Sequence, residues 1–390
     1  MQTVTRHCLI CMSVAMACGF CLLFLCMERL ELQQFFAPRL LKNNEATSKR
    51  EQGIKPRHAK TGIDVHHVSK SSTDLDSFRR RKGRFIVYDC SKTYAGECGG
   101  WSDRLSGMLS TYVISLLTNQ TFLVRHNKPC PLEDYLDYRH HNWVFDPDLV
   151  EELNHQYLPY FCKVPTSVRS HRRELLAVTF SKDVNFVRMN WDYTEHFRAT
   201  KGIGNVAPWI TTLQYSDIYR HFFNSLFKLK QEMIDLLQDI KGDKKLACAH
   251  IRMGEQGIVR TTLPELDYIW KILKQREKQK FSVFIATDSN LVRRKAKSIF
   301  ARSMVEIEGI ITHIDVTKKG DVCAGFRKAV LDFFMLTLCE ELVITRSGFG
   351  IMAAYLRERD KLLCLTPNGV APCTRYTIHD IYPSPILSPF

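Results

Sequence analysis

A chain of 390 residues with 45% hydrophobic, 11% aromatic and 25% charged residues has an ordinary globular composition and is long enough for two lobes that each bury a core. That excludes wholesale disorder, a collagen-like rod, a miniprotein and a multi-span membrane protein. The formal net charge of +14 invites a nucleic-acid reading, but residues Asn43 to Arg84 hold eleven Lys or Arg against five Asp or Glu, so +6 of it sits in one polar segment and the remaining +8 suits any phosphate-bearing ligand.

From Cys8 to Met27 twenty consecutive residues carry no charge, and at ~1.5 Å per residue such a helix spans ~30 Å of hydrocarbon. The reading is a head at 1–7, a transmembrane signal anchor at 8–27 and a polar stem at 28–83 that ends in the basic run Arg79 to Lys82. A cleavable signal peptide is the rival, since Ala15 and Ala17 form an A-x-A pattern, but the apolar run continues past that site. Arg29, Arg39 and Lys42 beyond the span count against a cytosolic N-terminus; the short head, the Asn119-Gln120-Thr121 sequon and the cysteines favour a type II anchor. Five of the fourteen cysteines lie in the span, and the nine of the body, at 90, 98, 130, 162, 248, 323, 339, 364 and 373, permit four disulfides and one odd thiol. The body has no paired C-x-x-C at zinc spacing, so lumenal disulfides are the reading, with Cys90 and Cys98 as a candidate pair across a loop.

Order begins at Arg84. Phe85 to Tyr88 is a β-rich run, followed by glycines at 96, 99 and 100, a helical period from Ser102 to Leu117 and a second β run from Thr121 to Val124. This is the βαβ unit of an open parallel sheet. The stretch from Asn127 to Gly242 resists parsing until an amphipathic helix predicted over Tyr215 to Ile240. Beyond Lys245 the alternation is regular: strands at 246–251, 282–286, 310–314, 342–345 and 362–365, helices at 263–274, 290–300, 325–339 and 350–357. The chain therefore predicts an α/β fold of two Rossmann-like lobes, 84–242 and 243–390, with ligands in the crevice at the carboxyl ends of the strands.

Unusual polar residues sit at three sets of strand-to-helix junctions, the third made up of two segments, 287–289 and 347–350. In Gly99-Gly100-Trp101-Ser102-Asp103-Arg104 small residues admit a ligand to the backbone; Ser102 or Asp103 serves equally as a helix cap, whereas Arg104 opposes the dipole at a helix start. In Ala249-His250-Ile251-Arg252-Met253-Gly254-Glu255 an arginine leaves an apolar strand, and its planar fork suits a phosphate or an ion pair with Glu255 or another carboxylate. Thr287-Asp288-Ser289 offers an acceptor for a ribose or base, or else an N-cap. Ser347-Gly348-Phe349-Gly350 offers a hydroxyl and helix-start N–H groups to an anion. Two Asp-x-Asp pairs, Asp74-Leu75-Asp76 and Asp146-Pro147-Asp148, have plainer readings: the first lies in the stem, and in the second Asp146 caps a helix opened by Pro147. No Walker loop, nucleophile elbow, H-E-x-x-H or G-x-G-x-x-G occurs.

Together these junctions resemble the GT-B fucosyltransferase superfamily, which includes α1,2- and α1,6-fucosyltransferases and protein O-fucosyltransferases. Gly100 to Gly107, running on to Leu116-Leu117-Thr118-Asn119-Gln120-Thr121, is similar to the family's first loop, helix and strand entry. His250 to Glu255 is similar to H-x-R-x-G-D, and Ser347 to Gly350 to S-x-F-[GS]. The resemblance covers roughly Arg84 to Leu365 and implies a GT-B fold, an N-terminal acceptor-side lobe, and a C-terminal lobe binding GDP-fucose as donor substrate. Arg252 would meet the β-phosphate, Asp288 the nucleoside and Ser347 the pyrophosphate; Arg104, His250, Gly254, Thr287, Gly348, Phe349 and Gly350 complete the substrate-binding set.

Inverting transfer without a metal or cofactor is expected, with Arg252 as the catalytic cation and Glu255 or Asp103 as the base. Expected partners are the nucleotide sugar, a glycan or glycoprotein acceptor and a membrane through one span, not nucleic acid. Asn119 is the expected glycosylation site, and the location is the Golgi membrane, type II, with the ER as alternative. Two departures stand out: Met253 occupies the place of a second arginine in some subfamilies, and Glu255 replaces an aspartate. A GT-B enzyme with another nucleotide sugar and a non-catalytic lumenal binding protein remain open alternatives.

Overall fold

The computed structural model describes residues 83–93, 97–160, 163–255, 258–314 and 321–382. The predicted head and anchor, the stem up to Lys82, Asp74-Leu75-Asp76 and Cys162 lie outside them. Among the described residues no helix is long and apolar enough to cross a membrane.

Strand β1 (Phe85–Cys90) is buried along nearly its whole length and pairs in parallel with β2 (Thr121–His126) and with β5 (Val184–Arg188), which pairs in turn with β4 (His155–Pro159). The sheet order is β2-β1-β5-β4. Helix α1 (Trp101–Thr118) connects β1 to β2. It begins where Gly100 N donates to the Asp103 carboxylate at 2.6 Å, and it ends at Asn119 in the left-handed conformation, φ 53°. Its Gly107 is obligatory, because a Cβ there would lie 2.0 Å from the Met189 carbonyl oxygen.

The unparsed middle region supplies β3 (Leu136–Tyr138), β4 and β5. The single helix expected over 215–240 is two, α2 (Tyr215–Leu226) and α3 (Gln231–Lys241), parted by β6 (Phe227–Leu229), which pairs antiparallel with β3. Phe227 and Leu229 are buried on either side of exposed Lys228, a period of two hidden inside an apolar spacing that also fits a helix.

The second sheet has the order β11-β10-β7-β12-β13-β14. Strands β7 (Leu246–Ile251), β10 (Ser282–Thr287), β11 (Met304–Val305), β12 (Glu341–Ile344) and β13 (Leu362–Thr366) run parallel, and β14 (Gly369–Cys373) folds back antiparallel on β13. A small hairpin, β8 (Gly254–Glu255) and β9 (Ile258–Val259), leads from β7 into helix α4 (Leu263–Lys278). Helices α5 (Asn290–Phe300), α6 (Val322–Thr337) and α7 (Gly348–Leu356) link the later strands. Residues 310–314, expected as a strand, are irregular; the strand in that place is the two-residue β11. From β7 the chain builds outward to β10 and β11, then returns to the other side of β7 with β12 and β13. This reversal opens a crevice at the carboxyl ends of β7 and β12, the place where open α/β sheets bind ligands.

One apolar core runs continuously through both sheets and includes Ile86, Trp143, Phe222, Cys248, Phe333 and Ile344, so the two sheets share an interior. Four disulfides tie the chain: Cys90–Cys98 as expected, Cys130–Cys323, Cys248–Cys339 and Cys364–Cys373.

Candidate functional site

A cavity of about 400 Å³ opens at the reversal point. Its lining combines the ends of β7 (His250, Arg252), β10 (Thr287, Asp288) and β12 (Arg346 to Phe349), the start of α1 (Gly100 to Asp103), residues 310–314 and one face of α6 (Gly325, Lys328, Ala329, Asp332), together with Arg260. Four regions predicted separately from the sequence therefore converge.

Arg252 is fixed at both its backbone and its side chain. Its N–H donates to Thr345 Oγ1 at 2.9 Å while Thr345 N donates to the His250 carbonyl at 3.2 Å, stitching the ends of β7 and β12. A guanidinium nitrogen lies 3.2 Å from Asp288 Oδ2. Asp288, whose side chain is 8% exposed, also accepts from Met253 N at 2.8 Å and Gly254 N at 3.0 Å. Of the carboxylates foreseen as partners for Arg252, Asp288 is one that pairs with it, and Asp288 fixes the 252–254 loop while facing the cavity. Gly254 is required there by its φ of +99°. Thr287 Oγ1 accepts from Ser289 N at 3.2 Å, and Ser289, not Asp288, caps α5.

His250 is 5% exposed and stacks on Phe349, with ring centroids 5.0 Å apart and planes at 23°. Burial, then the nearby Arg252 charge, pushes its imidazole down to about 3, so the ring is neutral at working pH. Gly350 exists for this ring: a Cβ there would meet His250 Nδ1 at 2.8 Å. Ser347 is the N-cap of α7 but its hydroxyl caps no N–H, and with Gly348 it lines the cavity at the positive end of the helix dipole.

Asp103 lines the cavity, with one carboxylate oxygen held by the N-cap of α1. Arg104 corrects an expectation. It is fully buried, donates through Nε to Gly99 O at 2.9 Å, meets His126 Nε2 at 2.7 Å, bonds the Lys128 carbonyl and covers the Phe326 ring. Its guanidinium ties the loop before α1 to the segment after β2 and does not reach the cavity. The backbone of Glu255 lies in β8, and its side chain is outside the described residues. Asn119 is exposed at the end of α1. Asp146 Oδ1 accepts from Asp148 N at 3.1 Å as a cap, and among the described residues no cluster of His, Cys, Asp and Glu has the makings of a metal site.

Several cavity-lining residues escape the sequence reading, Lys328, Asp332 and Arg346 among them. Lys328 and Asp332 are both nine-tenths buried, and Lys328 Nζ contacts both Asp332 oxygens at 2.8 and 2.7 Å on the cavity wall. Burial raises the Asp332 carboxyl to about 6 although Lys328 pulls the other way. The available signal is a Lys and an Asp four residues apart in a helix whose one other charged residue is Arg327. Arg346, immediately before Ser347, adds an exposed cation to the rim.

No family model matches the chain, and no curated protein matches its sequence. Among solved structures it is similar to an arginine-to-lysine mutant of Arabidopsis thaliana FUT1 in complex with GDP, at 15% identity over 77% of this chain and 73% of that one, TM-score 0.50. NodZ α1,6-fucosyltransferase, known from Bradyrhizobium, gives 14% identity over 75% and 99% with TM-score 0.46. POFUT1 in complex with GDP-fucose gives 10% over 71% and 94% with TM-score 0.38. At such identities the likeness is one of architecture: the described chain has a mixed α/β fold with parallel sheets, similar to that of the FUT1 structure.

Proposed function

We propose that this chain is an inverting fucosyltransferase that moves fucose from GDP-fucose to a glycan or glycoprotein acceptor, its body held in the Golgi lumen by the span at 8–27. The observation that carries the reading is Arg252, pinned by Asp288 and Thr345 at the reversal point of the second sheet and opening on the same cavity as the α7 start. Transfer builds positive charge on the sugar ring and negative charge on the departing diphosphate. A fixed guanidinium and helix-start N–H groups stabilise that charge without having to reorganise as it develops. A divalent cation is not required for this step in the proposal. Lys328 and Asp332 offer one donor and one acceptor to the nucleoside, and the buried neutral His250 supplies a flat apolar surface beside Phe349.

The acceptor hydroxyl must lose a proton as the bond forms. Asp103 lines the cavity but already serves the α1 cap, which leaves Glu255 as the better base on this reading. Four disulfides fit an oxidising compartment, and exposed Asn119 fits an N-glycan. Calorimetry of GDP against UDP tests the site: GDP binds the wild type, UDP binds at least tenfold more weakly, and Arg252→Ala loses most of the GDP affinity. Equal binding of GDP and UDP removes the guanosine donor, and unaltered binding by Arg252→Ala removes the phosphate role.

A further inference from the structure

We propose that the Cys130–Cys323 disulfide is a redox-sensitive strap that fixes one wall of the cavity, so that its reduction weakens nucleotide binding. The proposal rests on the nucleotide reading above and adds regulation to it.

Helix α6 is tied covalently at both ends, and to different sheets. Beyond its C-terminus Cys339 bonds Cys248 within β7 of the second sheet. In its first turn Cys323 bonds Cys130, which follows β2 of the first sheet, across a separation of 193 residues. The two cysteines are sixteen residues apart, ~24 Å along the axis at ~1.5 Å per residue. Every residue that α6 gives to the cavity lies between them, two to nine positions beyond Cys323. The wall carrying Lys328 and Asp332 is therefore anchored at its near end to the opposite sheet.

Access to the four bonds is unequal. Cys248 and Cys339 are both 0% exposed, and Cys90, Cys98, Cys364 and Cys373 are all buried. Cys130 is 1% exposed, whereas Cys323 is solvent-exposed, the one such half-cystine among the described residues. Thiol–disulfide exchange needs an open line to one sulfur, so a dithiol reductant meets Cys323 first. Its thiolate bonds to Cys323 Sγ and expels Cys130 as a thiolate, which takes up a proton. The second thiol then closes the reductant into its own disulfide and releases Cys323, a two-electron transfer in all.

Non-covalent contacts remain after the cut. Phe326 packs against Tyr135, His126 and Trp101 with centroids 5.1, 5.6 and 5.8 Å away, and the Tyr135 hydroxyl donates to the Cys323 carbonyl at 3.4 Å. Reduction is thus expected to loosen the first turns of α6 without undocking the helix, giving a graded loss of affinity and not an unfolded protein.

The test is graded reduction of the full-length protein with dithiothreitol, read three ways: alkylation mapping of each cysteine, amide exchange across 322–332, and calorimetry with GDP. Cys130 and Cys323 should be alkylated before any other disulfide pair, exchange across 322–332 should rise, and the GDP dissociation constant should increase at least threefold; Cys130→Ser/Cys323→Ser should reproduce this without reductant. If that variant does not fold, the graded titration of the wild type decides alone. Another pair opening first, or exchange and affinity unchanged after the Cys130–Cys323 bond is cut, overturns the strap. Should the oxidised protein bind no GDP, the nucleotide reading fails separately and the strap is judged on exchange: a rise supports it and no change overturns it.

Discussion

Replacing Asp288 by Asn isolates what holds the Arg252 loop. The wild-type carboxylate accepts from Met253 N at 2.8 Å and Gly254 N at 3.0 Å and faces the Arg252 guanidinium at 3.2 Å, in a side chain only 8% exposed. Asn keeps one accepting oxygen and turns an NH2 toward the other donors, removing one charge-assisted hydrogen bond and the ion pair. A hydrogen bond to a charged group contributes ~1.5–3 kcal/mol, so a loss of ~2 kcal/mol is expected. The folded region of about 300 residues has an unfolding entropy near 0.6 kcal/mol/K at ~2.1 cal/mol/K per residue, which converts that loss to a fall in Tm of ~3 °C. Freeing the Arg252 rotamer adds an ordering cost of ~0.5–1.5 kcal/mol on binding, a GDP complex weaker by about twofold to twelvefold. Scanning calorimetry with and without GDP reads both effects. Refutation has two forms: no change in either quantity, or a loss of affinity beyond a hundredfold at constant Tm, which would make the carboxylate a direct ligand.

Further outcomes follow from neighbouring contacts. Gly350→Ala drives a methyl to 2.8 Å from His250 Nδ1 and 3.2 Å from Ile344 Cγ2; overpacking of this kind costs ~1–3 kcal/mol, so thermal unfolding should shift down by several degrees, and an unshifted Tm contradicts the packing. Arg104→Leu removes the hydrogen bonds that a fully buried guanidinium gives to the Gly99 and Lys128 carbonyls, so chemical denaturation should show a loss of ~3 kcal/mol or more, with GDP affinity preserved in the protein that remains folded; a selective loss of affinity would restore Arg104 to the site. Asp332 titrates near 6 in the folded chain against an ordinary 3.8 because burial disfavours its charge. The folded state then holds a proton that the unfolded state has lost, so this group's stabilisation is full below about pH 4 and disappears as pH rises through about 6. The stability difference between wild type and Asp332→Asn should change across that window, and a constant difference from pH 4 to 7 refutes the shift.

The legible parts of the chain were those with local signals. Strands β7 and β10 and helix α5 appear within a residue of where apolar runs and caps put them, because a doubly wound lobe repeats short buried strands between amphipathic helices. No strand is legible at β5, although it is central in its sheet: five residues flanked by short helices carry too little pattern, and its pairing partners β1 and β4 lie apart from it in sequence. Residues 310–314 are apolar enough for a strand, yet they line the cavity, and two-residue β11 takes the edge position. At the candidate site, the junctions singled out in the sequence bring Arg252, Asp288, Ser347 and His250 to one cavity. What the sequence hid were roles set by geometry, with Arg104 turned inward to carbonyls, Asp288 turned back on its own loop, and Lys328 paired with Asp332 across one helical turn.

We propose a guanosine-diphosphate sugar site built around Arg252. Its most direct test is release of GDP from GDP-fucose, measured beside GDP-mannose and UDP-sugars, with and without EDTA, for wild type and Arg252→Ala. Turnover of GDP-fucose alone is expected, undiminished by EDTA and reduced at least a hundredfold by Arg252→Ala, the scale of losing one preorganised donor to a developing charge. Turnover of a UDP-sugar in its place, or an Arg252→Ala protein as active as wild type, would contradict it.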